Sequence, residues 1–229
     1  MNMKTIFVLL IFGLAASVAA NAQQNELGWT MDSAVKQLDR QGSDFATLLA
    51  DMELQWSGNE QGETETERGR LYMNKKGDLR INVDTPNKQT ILRVGRTVSY
   101  YDPAKATVQE FSLSKHKDRL EVFIPLGFST TGKNLTRDYL VTFIGEKDIG
   151  SRRTLGLELT PKRDNVRAVV SRIELWVDEA SWLPVRQVIS QSSGGQTLTI
   201  VYAGTARNLA LNSDLFRAKW PKGTKKVRM

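Results

Sequence analysis

The chain has 229 residues, 32 Lys and Arg against 25 Asp and Glu for a formal charge of +7, a single histidine and no cysteine. The missing cysteine excludes disulfides, thiolate nucleophiles, cysteine-held metals and a lipid-modified cysteine, so burial alone has to hold the fold together. The modest basic excess is mixed with acids and not interleaved with aromatics, which argues against a nucleic-acid partner.

In chain order, Met1 to Lys4 form a short positive start, Ile6 to Ala16 an apolar run, and Ala20-Asn21-Ala22 a small-x-small cleavage site. This predicts a secretory signal peptide cut after Ala22, leaving residues 23–229 as one exported domain in a periplasmic setting. The run is shorter than the roughly 20 apolar residues a membrane-spanning helix needs. Thr30 is placed to cap a short helix whose apolar positions Met31, Ala34, Val35 and Leu38 follow helical spacing. A second helix is predicted over residues 114–128, with Leu120, Phe123 and Ile124 on one side and its end left open by Pro125 and Gly127.

Nearly everything else alternates with period two. Ala50, Met52, Leu54 and Trp56 share a face opposite Asp51, Glu53 and Gln55. Glu63, Glu65 and Glu67 read as a solvated strand face leading into Leu71, Tyr72 and Met73. Leu79, Ile81 and Val83 follow the Lys75-Lys76-Gly77 turn; Ile91 and Leu92 follow Pro86; then come the adjacent Tyr100 and Tyr101, and Val108 to Leu113. The second half repeats the habit at Tyr139 to Phe143, Leu155 to Leu159, Ile173 to Val177, Val185 to Ile189 and Leu198 to Tyr202. About ten strands with short turns predict a mainly β domain: one antiparallel sheet, strongly curled into an incomplete barrel and covered by a few helices.

No catalytic constellation is legible. His116 lies in the charged stretch Lys115-His116-Lys117-Asp118, no G-x-S-x-G is present, and no serine stands out as a nucleophile. The glutamates at 63, 65 and 67 lack the loop geometry of a calcium site, and Gly194-Gly195 suits a hairpin, not a phosphate loop. We therefore expect neither an enzyme, nor a metal, nor a cofactor. What remains is apolar surface. Tyr100 and Tyr101 must point to opposite faces of one strand, and Leu71-Tyr72, Ile91-Leu92 and Ile200-Val201 raise the same difficulty. In a curled sheet one such face lines the concavity. Side chains can fill that concavity, as in small barrels, or leave room for an apolar ligand, and the residues alone do not choose. We expect Tyr100 inside, in step with Val98, and Tyr101 outside.

The succession GRLYMNKKGDLRINVDTPNKQTILRVGRTVSYYDPAKATVQEF, then YLVTFIGEKDIGSRRTLGLELTPK, IELWVDEASWLPVRQVI and LFRAKWPKGTKKV resembles the periplasmic outer-membrane lipoprotein carrier family, LolA and its relatives. Each piece is short; the specificity lies in their order over most of the chain. The resemblance implies an incomplete barrel lidded by helices around a hydrophobic cavity. Members carry acylated lipoproteins from an inner-membrane ABC transporter to an outer-membrane receptor. By that resemblance Leu79 and Ile81 match inward residues, and Met52, Leu54, Trp56, Leu71, Met73, Tyr100, Phe111 and Phe123 are further candidates for a lipid-binding lining. The family's strand-end arginine, a lid latch, aligns with Lys75, and Arg80 nearby is a weak substitute, since lysine lacks the planar guanidinium fork. The stretch 114–138 looks longer than its family counterpart, marking a divergent member, and we expect a monomer. The basic C-terminus, Lys219 to Arg228, reads as a solvated tail or as a patch for transient contact with an acidic partner or membrane surface.

Overall fold

A computed structural model describes residues 28–58, 65–112, 126–128 and 132–228. The signal segment, His116 and the expected lining residue Phe123 lie outside these, as does most of the expected helix over 114–128; its described part, residues 126–128, is a turn.

Period-two alternation becomes twelve strands in one open, curled sheet: β1 (Thr47–Ser57), β2 (Glu65–Asn74), β3 (Leu79–Thr85), β4 (Gln89–Val94), β5 (Thr97–Asp102), β6 (Thr107–Ser112), β7 (Tyr139–Ile149), β8 (Arg152–Pro161), β9 (Val170–Asp178), β10 (Pro184–Gln191), β11 (Thr197–Arg207) and β12 (Lys225–Arg228). The order is β12-β6-β5-β4-β3-β2-β1-β11-β10-β9-β8-β7. Two meanders of consecutive strands thus meet along one seam, where β1 pairs with β11. Each described neighbour pair is antiparallel except β12 with β6, which is parallel. The basic C-terminus is therefore an edge strand and not a free tail. Lys226 reaches Glu110 at 3.4 Å, and Lys219 reaches Asp214 at 3.2 Å.

Helix α1 (Met31–Ser43) starts where expected: the Thr30 hydroxyl accepts from the Ser33 amide while Ser33 accepts from the Thr30 amide, a reciprocal cap. Its buried stripe is Ala34 and Leu38. Helix α2 (Gly132–Asp138) buries Leu135. The two cross closely: a Cβ on Gly132 would sit 2.3 Å from the Val35 carbonyl oxygen, so only glycine fits. The Asp39 carboxylate accepts from the Lys133 amide at 2.9 Å, satisfying one of the orphan donors at the start of α2. A short helix α3 (Asp164–Arg167) connects β8 to β9.

Cross-strand partners share a face, so the ladders fix which residues look inward. Leu71, Ile81, Ile91, Tyr100 and Gln109 form one row across β2 to β6; Met73, Leu79, Arg93, Val98 and Phe111 form the next. These rows join the buried cluster that also holds Ala34 and Leu38 of α1, Leu135 of α2, and Leu126 and Phe128. Tyr100 therefore faces in. Tyr101 faces out, where its ring stacks on Trp220 with centroids 5.0 Å apart.

The register changes the reading of the glutamates. Glu63 lies outside the described residues; Glu67 pairs with Leu54 and Glu65 with Trp56, so the solvated stretch these two form is on the inner face. β1 and β2 are long, and this end of their inner face is less covered: Glu65 is exposed and Glu67 half-buried.

Candidate functional site

The inner face of β1 to β3 is the candidate site. In β1 the burial pattern alternates as the sequence does, with Leu48, Ala50, Met52 and Leu54 inward. Leu71 and Met73 of β2 and Leu79, Ile81 and Val83 of β3 continue the wall, each at most 8 % exposed. Trp56 packs at its margin. Tyr100 and Phe111 are on the same face but only half-buried. Thus nine of the expected lining positions share one face, and the seven on β1 to β3 pack in the cluster that holds α1, α2 and the turn at 126–128. Two methionines within this wall give it soft, unbranched side chains that adapt to irregular partners.

The electrostatics of this face are sparse. Burial, followed by the neighbouring Glu65 charge, holds the Glu67 carboxyl above its ordinary range. Burial, then the charges of Asp102 and Glu67, pushes the Tyr100 hydroxyl up. Both groups therefore favour their neutral forms, as expected beside an apolar wall.

Neither candidate latch residue makes a hydrogen bond or ion pair to α1 or α2 among the described residues. Lys75 is exposed in the turn after β2. Arg80 points to the outer face: its side chain donates to Asn82 Oδ1 at 2.8 Å and to the Leu215 carbonyl at 3.3 Å. It cannot reach a helix on the inner side, because neighbours along a strand alternate faces and Leu79 and Ile81 already point inward. The arginine that holds α1 comes instead from the far end of β11. Arg207 donates to the Gln41 side chain at 3.1 Å and to the Gln41 carbonyl, with its guanidinium 5.8 Å from the Phe45 ring. Asn208 beside it accepts from the Ala46 amide and donates to the Asp44 carbonyl, so the α1–β1 corner is pinned to β11. Nothing local in the sequence marks Arg207, because its partners lie about 160 residues earlier.

The other half of the inner face carries a polar residue that sequence reading passed over. Leu54, Ile200, Gln187, Leu175, Leu157 and Phe143 are successive cross-strand partners from β1 through β11, β10, β9 and β8 to β7. Gln187 is fully buried in this apolar row. Its side chain has one hydrogen-bond partner among the described residues, Tyr202, whose hydroxyl donates to Gln187 Oε1 at 3.4 Å. Gln187 alternates with Val185 and Ile189 along β10, but only the ladder shows that its neighbours on both sides are apolar.

Comparison with known proteins bears on this architecture. Residues 44–219 match the family model for the outer membrane lipoprotein carrier protein LolA. The chain belongs to that family. An uncharacterised conserved protein from Thermus thermophilus superimposes with a TM-score of 0.54 at 12 % identity, covering 87 % of this chain and 97 % of its own. A LolA superfamily protein from Nitrosomonas europaea is similar at a TM-score of 0.45 and 16 % identity, covering 82 % of this chain and 98 % of its own. The lipoprotein LppX of Mycobacterium tuberculosis is similar at 0.46 and 12 % identity, covering 79 % of this chain and all of its own. No curated protein matches. The LolA-like chain is thus a distant relative in sequence with the family's open, curled sheet.

Proposed function

We propose that this LolA-like chain is an exported, periplasmic carrier that shields the acyl chains of lipoproteins and moves them from the inner to the outer membrane. The observation that carries the reading is the apolar inner wall of β1 to β3, from Met52 to Ile81, held beneath two helices on a LolA sheet. Each CH₂ taken out of water is worth about 0.8 kcal/mol, so an acyl chain crosses an aqueous space only inside such a shelter. The helical cover on α1 and α2 is the part that has to yield, and its contacts with the sheet are separable from the ladder that forms the wall. Hand-over without a nucleotide runs on affinity differences between successive holders, which an inner-membrane transporter and an outer-membrane receptor would supply. The export signal rests on the Met1 to Ala22 pattern.

The test is mass spectrometry of the protein purified from its native envelope. Diacylated or triacylated peptides bound to it support lipoprotein carriage. A second reading, carriage of another acylated lipid, is favoured by the exposed Lys75 and the outward Arg80, which leave the family's latch position changed. Free lipids in place of peptides would support that reading. A protein that is empty and takes up no fluorescent fatty acid would overturn both.

A further inference from the structure

We propose that Gln187 and Tyr202 form a polar anchor inside the concavity that accepts the ester carbonyl of a fatty-acyl ligand. The inference rests on the carrier reading and assigns a chemical class to what is carried.

The pair is built for an acceptor. A glutamine amide offers two N–H donors and one carbonyl, and a tyrosine one donor and one acceptor oxygen. With the hydroxyl donating to Oε1, both donors of Gln187 Nε2 lack a partner among the described residues, in a side chain that is fully buried. Turning the amide over lets Nε2 donate to the tyrosine oxygen, yet one N–H and the O–H then go unmet. Either arrangement leaves two surplus donors. An unmet buried donor is costly, and a leucine at this position of the row would carry no such cost. A group that only accepts, and brings no donor of its own, resolves the surplus; an ester carbonyl does this, while an amide or alcohol would add a new unmet donor to the wall.

The surroundings suit the rest of such a ligand. Gln187 lies between Ile200 and Leu175, and Tyr202 pairs with Met52 at the edge of the candidate wall. Alkyl chains leaving an anchored ester can therefore run along apolar side chains in either direction. The turn at 126–128 covers the spot: the Phe128 ring meets Tyr202 edge-on at 4.9 Å, and a Cβ on Gly127 would stand 2.8 Å from Pro184 Cγ and 3.1 Å from Leu175 Cδ2. Gly127, at φ +83°, thus lets the cover sit down on the anchor's own strand β10 and on its neighbour β9.

The test measures binding of matched ester and ether probes of equal chain length to the full mature chain. A diacylglyceryl-cysteine peptide and a phosphatidylglycerol are each used as the diester and the dialkyl ether, which lacks the carbonyl. The wild-type protein is expected to prefer ester over ether about five- to tenfold, the worth of one buried hydrogen bond. Gln187→Leu should abolish that preference, keep the ether affinity and raise the melting temperature of the free protein; Tyr202→Phe should reduce the preference in part. The headgroup that binds tighter tells a lipoprotein anchor from a membrane lipid. Equal binding of ester and ether by the wild type, or a preference that survives Gln187→Leu, overturns the anchor and leaves the carrier reading standing. Failure of every probe to bind overturns the carrier reading and the anchor with it.

Discussion

The outer faces of β1–β2 and of β4–β6 start from the same strand geometry and reach opposite environments. On β1–β2 the outward residues are Asp51, Glu53, Arg68 and Arg70, paired as Arg70–Asp51 at 2.7 Å and Arg68–Glu53 at 2.8 Å, all in contact with water. On β4–β6 the outward residues include Leu92, Ser99, Tyr101 and Val108, and Leu92, Ser99 and Val108 are at most 3 % exposed. The difference comes from the C-terminal segment. It lays Trp220 on Tyr101, a 3₁₀ turn (Ser213–Phe216) against β3 and β4, and β12 along β6. One region therefore has a wet back, and the other a back covered by the C-terminal segment. Fully burying an aliphatic side chain such as Leu92 or Val108 stabilises by about 1.5–3 kcal/mol, whereas exposed ion pairs contribute little. Stability on the outside is concentrated where the late segment lands.

Substitutions can break this contrast. Val108→Asp places a charge under the C-terminal segment and should cost more than about 3 kcal/mol, read by urea unfolding. Gly69 lies within β2 between Met52 and Val83, next to the bulge between β2 and β3, and a Cβ there would lie 2.1 Å from the Asn82 carbonyl oxygen. Gly69→Ala is expected to cost about 2–4 kcal/mol because backbone has to move; an unchanged midpoint would show that the bulge slips freely. Trp220→Ala should cost about 2 kcal/mol and raise amide exchange in β5 and β6 but not in β1 and β2. Uniform exchange across all four strands would mean that the two outer faces are not independent.

A pH series sharpens the picture on the inner side. Glu67 has its pKa raised in the fold by burial and by Glu65, so the charged form is disfavoured relative to the unfolded chain. That penalty is present above the folded pKa and disappears as pH falls through it and then through the ordinary carboxylate value. Glu67→Gln should thus melt slightly higher than wild type at about pH 8, with the gap closing towards about pH 4. A gap that stays constant with pH would show that Glu67 is not the titrating group. The smallest effect is expected from Arg70→Ala, which should leave the melting temperature unchanged.

Sequence reading reached what is local and stopped at what is distant. Alternation in β1, β3 and β11 is carried by each strand's own residues, so the inner set Met52, Leu54, Leu79, Ile81 and Tyr202 could be picked out before any fold was known. The second apolar face was also visible in Tyr101 and Leu92, but its cover was not, because Trp220 arrives from the far end of the chain. Glu65 and Glu67 do meet water, but which side of the sheet they stand on was not legible. Acidic residues mark water, and water reaches the inner face wherever strands outrun the helices above them. Arg80 looked like a neighbour of the latch in sequence, yet one residue of shift along a strand moves a side chain to the other side of the sheet. Gln187 was passed over because its apolar partners Ile200 and Leu175 stand on other strands.

The seam between β1 and β11 has a consequence for how the chain is made. The N-terminal meander can form its hairpins early, but the central strand β1 lacks its second partner until residues 197–207 are available. A chain emerging end first, from a ribosome or a pore, thus holds a half-sheet with a raw apolar edge for most of its synthesis. Pairings this distant in sequence are slow to close and leave strand edges open to other chains. The same junction that unites the two halves therefore makes the nascent protein dependent on being kept apart from its neighbours until its last long strand appears.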